Sequence, residues 1–205
     1  YTFLELIDAI ENEQFDSISK IENLIFNDSL GQIVKTPVKA LPDQDTLPKL
    51  PYTYLDTFYP VKNYLAKTFI GRTTLSYHSS MGCPFTCSFC AIVPIFNARW
   101  KGMSAQRMYE DVKYFKEKYN IDAIEFHDNN FFTSKKRVLE FSNLILNDSI
   151  SYWGEGRIDT INLYSDDDLR LMRKAGCKMI FLGAETGNDE VLKQMNKGGT
   201  QTGQM

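Results

Sequence analysis

From residue 71 onward the chain alternates strand-like and helix-like segments at a nearly constant interval, and this constrains its fold more than any other feature. Residues 73–79 read as a strand. Ser104 can cap a helix that runs to residue 119, with Met108, Val112 and Phe115 on its apolar face. Residues 121–126 read as a strand, 134–146 as a helix, 150–153 as a strand, and 166–175 as a helix closed by Gly176. Residues 179–182 give a fourth strand and 188–196 a fourth helix. Strands that alternate with helices pair in parallel through right-handed crossovers. Ile121, Ser149 and Cys177 recur at 28-residue intervals. Equal units point to an α/β fold of the partial (βα) TIM-like barrel type rather than to a doubly wound sheet, where strand order reverses.

The first 70 residues follow another pattern. Phe3, Leu6, Ile7 and Ile10 recur at helical spacing, and the apolar segments 21–26 and 32–35 flank an Asn, Asp and Gly turn that reads as a hairpin. Five of the seven prolines then fall at Pro37, Pro42, Pro48, Pro51 and Pro60, which predicts an extended, spacer-like connector. The expected organisation is a small α/β tail over residues 1–40, a proline-rich linker over 41–70, and a barrel-type domain over 71–205. Helical pattern begins at Tyr1, and residues 197–205 supply no closing element, so both ends read as internal to a longer protein.

Three of the four cysteines stand within eight residues, Cys83-Pro84-Phe85-Thr86-Cys87-Ser88-Phe89-Cys90, directly after the first strand of the barrel pattern. Thiolates are soft ligands for iron–sulfur clusters, zinc or Cu(I). A structural zinc site commonly takes four protein ligands, and a four-cysteine cluster would also lack one here. Three ligands on one loop leave one iron of a cluster open to a substrate or cofactor. The competing readings are a zinc loop completed by His78 or Cys177, a non-catalytic iron–sulfur module, and three unrelated core cysteines.

The other strands end in polar groups as well. Asp128, Arg157 and Glu185 follow the second, third and fourth strands at intervals of 29 and 28 residues. In a parallel barrel, chemistry gathers where those ends meet. His127 can orient Asp128 or face a substrate, His78 reads as a barrel residue, and Cys177 opens the fourth strand at the end away from the loops, as a small buried residue. Trp100 is expected to pack over the cysteine loop, and Met172, Met179 and Met195 to lie in the core or on helix faces.

The spacing Cys83-x3-Cys87-x2-Cys90, with aromatic Phe89 before the last cysteine, resembles the signature loop of the radical S-adenosylmethionine (SAM) superfamily. The resemblance covers residues 71–205. It implies a [4Fe–4S] cluster on Cys83, Cys87 and Cys90 whose open iron is chelated by the methionyl amine and carboxylate of S-adenosylmethionine. It also implies reductive cleavage of S-adenosylmethionine to methionine and a 5′-deoxyadenosyl radical. Phe89 would pack beside the adenine, Asp128 would contact the amino group, Arg157 would clamp the carboxylate, and Glu185 would meet the ribose. The family pattern further implies a six-unit partial barrel, about four units of which lie in this chain, and a reducing electron donor such as flavodoxin or ferredoxin.

The segments 170–177 and 181–187, with the Leu-Pro steps at Leu41-Pro42, Leu47-Pro48 and Leu50-Pro51, resemble the subgroup that carries an upstream cobalamin-binding domain. That subgroup includes methyltransferases and ring-forming enzymes. Cobalamin is then an implied cofactor, with residues 1–40 as the tail of its domain and its Asp-x-His-x-x-Gly loop outside these residues. The rival within the superfamily is a methylthiotransferase acting on tRNA or a protein, which would need a second cluster; no cysteine precedes Cys83. The small-molecule substrate is not legible. A net charge of −3 with scattered Lys and Arg argues against a nucleic-acid face. The longest apolar run near the motif, residues 91–96, is broken by Pro94, far short of a membrane span. Reduced cysteines without an export signal fit the cytoplasm.

Overall fold

The computed structural model of the chain describes residues 1–197 and Gly203, so most of the predicted glycine-rich tail lies outside the described residues. It divides into two compact units, Tyr1–Leu41 and Pro42–Met205.

In the first unit, α1 (Thr2–Glu11) precedes an antiparallel hairpin of β1 (Ile25–Asn27) and β2 (Ile33–Lys35), paired from Ile25 with Lys35 to Asn27 with Ile33. Asp28 closes the turn by accepting from the Leu30 and Gln32 N–H groups. The helix buries Ala9, whereas Phe3 and Ile10 of its predicted apolar face are exposed.

The second unit opens with the proline-rich stretch, which is not the extended spacer that its prolines predict. It forms α2 (Tyr52–Phe58) and short 3-10 turns, and it packs on the barrel's own helices. Tyr52 meets the Phe115 ring edge-on at 4.9 Å, and Val61 joins the core. Arg107 donates to the Leu47 carbonyl at 3.1 Å. A stretch that prolines keep out of sheet and long helix can still bury its aromatic residues.

The sheet is built from β3 (Thr74–Tyr77), with β4 (Ser80–Gly82), α3 (Ile92–Phe96) and β5 (Trp100–Gly102) following it as an excursion. Then come α4 (Ala105–Tyr119), β6 (Ala123–Phe126), α5 (Lys135–Ile145), β7 (Ser151–Arg157), α6 (Ile158–Ile161), α7 (Asp166–Lys174), β8 (Cys177–Gly183) and α8 (Asp189–Gln194). The order β3-β6-β7-β8 is parallel throughout, as the βα alternation requires. Helix starts are capped where the sequence places Ser or Asn. Ser104 accepts from Arg107, Ser134 from Arg137 and Asn188 from Glu190 and Val191, and Ser165 forms a capping box with Asp168. Gly176 (φ +108) ends α7 so close to Ile150 that a Cβ would collide with its carbonyl oxygen.

The core lies between sheet and helices. Met108, Val112 and Phe115 of α4 are buried as their spacing predicts, and Phe126, Phe131, Phe141 and Tyr152 form an aromatic layer with centroids 4.4–6.1 Å apart. The opposite face of the sheet carries Ser76, Glu125, Trp153 and Met179 in register. β7 continues to Arg157, so residues 154–157, expected as loop, belong to the strand.

Candidate functional site

The cysteine loop springs from a hairpin that has no counterpart in the sequence reading. β4 and β5 pair antiparallel, Ser80 with Gly102 and Gly82 with Trp100, so residues 83–99 leave and return at one point. Gly82 has φ +76, and a Cβ there would strike the Arg99 carbonyl oxygen. Pro94 sits in the first turn of α3, where its missing N–H leaves no bond unmade. The loop is clamped at its other side by the residues after α8. Ser88 N–H donates to the Met195 carbonyl at 2.9 Å, and Asn196 Nδ2 donates to the carbonyl and Oγ1 of Thr86 at 2.8 and 3.0 Å.

All four cysteines are free thiols; Cys87 is buried, and Cys83 and Cys90 are half-buried. Burial pushes the Cys83 thiol up, and nearby Cys87 and Cys90 add to that, against the Phe85 N–H and Arg157. Among the described residues no three His, Cys, Asp or Glu side chains converge on a single-ion position. A four-iron cluster distributes its thiolates over separate irons, so three thiols on one loop can serve three of its corners. Cys177 is no additional ligand: it is buried at the start of β8, its thiol donating to the Met179 carbonyl at 3.7 Å. Burial raises that thiol to about 12.

Arg157, the last residue of β7, reaches this loop. Its Nη1 donates to Cys87 Sγ at 3.0 Å. Its Nε and Nη2 donate to the two Asp159 oxygens at 2.9 and 2.8 Å, a bidentate pair. The guanidinium also lies 3.9 Å from the centroid of the Phe85 ring. Burial works against this cation, but Asp159 and Cys87 outweigh it and raise its pKa. Two of its three donor nitrogens are thus engaged by a carboxylate of the chain's own.

Phe89 and Glu185 share one neighbour, Lys197. Phe89 is 51% exposed. Lys197, itself buried, places Nζ 5.9 Å from the Phe89 centroid, donates to the Gly183 carbonyl at 2.7 Å, and pairs with Glu185 Oε1. Glu185 takes a left-handed backbone conformation, φ +61, which turns the chain away from β8.

Asp128 lies deep at the end of β6, among donors of the chain itself. It is 0% exposed. Its carboxylate accepts from the Ser79 N–H at 3.2 Å, from Ser79 Oγ at 3.0 and 3.1 Å, and from Ser80 Oγ. Arg137, also buried, donates to Ser79 Oγ at 3.0 Å and to its carbonyl at 3.2 Å. Asp128 thus ties the root of β4 to the end of β6.

His127 pairs with Glu125 at 3.4 Å, lies edge-on to Trp153 at 5.3 Å, and stands 6.2 Å from the His78 ring. It orients toward these groups rather than toward Asp128. Trp100 packs under the Arg137 guanidinium at 5.3 Å. A cavity of about 510 Å³ lies between residues 47–53, β3 and α4, with apolar walls that include Leu47, Met103 and Phe115. Its charged lining groups are Lys49, Arg107 and Asp111, and Asp111 accepts from Arg107 and from the Tyr77 hydroxyl and lies 3.8 Å from Lys49 Nζ.

The family model described as the Radical SAM superfamily matches residues 77–202. The chain belongs to the Radical SAM superfamily. An uncharacterized methyltransferase of Pyrococcus horikoshii is 30% identical over 200 residues, 96% of this chain and 41% of the relative. An anaerobic magnesium-protoporphyrin IX monomethyl ester cyclase of Synechocystis is 28% identical over 96% of this chain and 38% of the relative. The chain thus spans about two-fifths of the length of these relatives. Among solved structures, the radical S-adenosylmethionine methyltransferase TsrM from Kitasatospora setae, with cobalamin and a [4Fe–4S] cluster bound, matches with a TM-score of 0.63. That likeness has 16% identity and covers 98% of this chain and 39% of TsrM, and it establishes a common fold.

Within this Radical SAM domain, sequence reasoning missed Asp159, Lys197, Asn196 and the Ser79–Arg137 pair. Asp159 had a local signal, an acid two residues after a basic strand end. Lys197 had none: its partner Glu185 is 12 residues away across α8.

Proposed function

We propose that Cys83, Cys87 and Cys90 bind a [4Fe–4S] cluster and that Phe89 and Glu185 hold S-adenosylmethionine beside it. When bound, these groups supply one-electron reductive cleavage to methionine and a 5′-deoxyadenosyl radical. The observation that carries the reading is the cysteine loop itself: three free thiols, one buried against an arginine N–H, on a hairpin closed by Gly82. Glu185, paired with Lys197, would accept from ribose hydroxyls, and the exposed Phe89 ring would offer a flat apolar surface to the adenine. The names of the relatives favour cobalamin-assisted methyl transfer or ring formation by the longer protein, on a substrate not identified. A one-electron donor such as flavodoxin or ferredoxin would supply the reducing equivalent, in a reducing cytoplasmic setting. No helix among the described residues is long and apolar enough to cross a membrane.

Anaerobic reconstitution with iron and sulfide tests this. The chain is expected to take up about four irons per chain and show a visible charge-transfer band. With a strong reductant it should form 5′-deoxyadenosine from S-adenosylmethionine. Cys87→Ala should abolish both, and Glu185→Ala should weaken S-adenosylmethionine binding at full iron content. Zinc in place of iron, with no band, would sink the reading.

A further inference from the structure

We infer that Arg157, held by Asp159, tunes the reduction potential of the cluster by keeping a fixed positive charge and an N–H donor on the sulfur of Cys87. This rests on the cluster reading above. The geometry is specific: Nη1 stands 3.0 Å from Cys87 Sγ, while Nε and Nη2 are held on Asp159. Arg157 is 7% exposed, and its plane is covered by the Phe85 ring. With one edge on Asp159 and one face on Phe85, the group is not free to swing into solvent. An arginine keeps its charge at any working pH.

One-electron reduction by an external donor makes the cluster and its thiolates more negative by one unit. A cation at hydrogen-bond distance stabilises the reduced form more than the oxidised form, and burial limits solvent screening of that difference. Asp159 acts through Arg157: it orients the donor and offsets part of its charge.

The test is an anaerobic redox titration of the reconstituted protein without S-adenosylmethionine, followed by electron paramagnetic resonance. Arg157→Met is expected to hold wild-type iron and to titrate at a more negative midpoint, with Arg157→Lys between the two. Asp159→Asn, which removes a negative charge but keeps an acceptor for the guanidinium, should shift the midpoint the opposite way, to a less negative value. Loosened packing alone would not reverse sign between the two. Arg157→Met at full iron with the wild-type midpoint, or both variants shifting in one direction, would overturn the inference. Should Arg157→Met fail to take up iron, Asp159→Asn decides: a less negative midpoint supports the inference, and an unchanged or more negative one ends it. Absence of iron from the reconstituted wild-type chain, measured before any titration, removes the cluster reading itself.

Discussion

A carboxylate cut off from water stays charged only where donors surround it. Asp128 meets that condition through Ser79 and Ser80, with the buried Arg137 reaching the same Ser79. Asp128→Asn keeps the shape but turns an amide donor toward groups that are themselves donors. The expected cost is about 2–3 kcal/mol, the scale for hydrogen bonds to a buried charge. Urea denaturation of the cluster-free protein measures it. A variant as stable as the wild type would show that the carboxylate is not what holds β4. The sequence placed Asp128 at the strand end correctly, yet its role was not legible, because its donors lie 48 and 49 residues back along the chain. The contact of Arg157 with the cysteine loop was hidden for the same reason. Its sulfur partner is 70 residues away, and nothing in the local pattern points to it.

Elements with a long hydrophobic period were readable, because each helix declares its buried face within a few turns. α4 and α5 lie within one or two residues of their predicted limits, and the Ser104 cap of α4 stands where expected. β4 and β5 are three residues each, too short to alternate, and their pairing is set by backbone contact rather than by side-chain pattern. α2 was hidden by the prolines around it, although Pro51 simply precedes its first turn. The β4–β5 closure depends on Gly82 (φ +76) at the root of the cysteine loop. Gly82→Ala should destabilise the chain by at least about 1–2 kcal/mol from the left-handed backbone alone, with the collision at Arg99 adding to it. Iron uptake on reconstitution should fall with it, since the three thiols lose their common anchor. Full uptake and unchanged stability in this variant would mean that the hairpin can shift without cost.

Across the larger unit, the helical layer is joined by ion pairs that span elements distant in sequence. Lys118 of α4 contacts Asp56 of α2 at 2.7 Å, and Tyr119 donates to the same carboxylate at 2.9 Å. Lys135 of α5 contacts Asp168 of α7 at 2.5 Å, where Asp168 also completes the Ser165 capping box. Both aspartates are held low, at about 2, chiefly by their lysine partners and then by backbone N–H groups. In the unfolded chain they titrate near 4. Between about pH 4 and pH 2 the unfolded state therefore binds more protons, and stability falls as pH falls through that window. The contribution is complete above about pH 4 and absent below about pH 2. The double variant Asp56→Asn with Asp168→Asn should be less stable than the wild type at neutral pH. The gap should close as denaturation is repeated toward pH 2. Because both carboxylates remain within reach of solvent, added salt at pH 7 should narrow it too. A gap that stays constant from pH 7 to pH 2 would assign these residues to packing and helix capping alone, and would remove ion pairing as the tie between α2 and α4 and between α5 and α7.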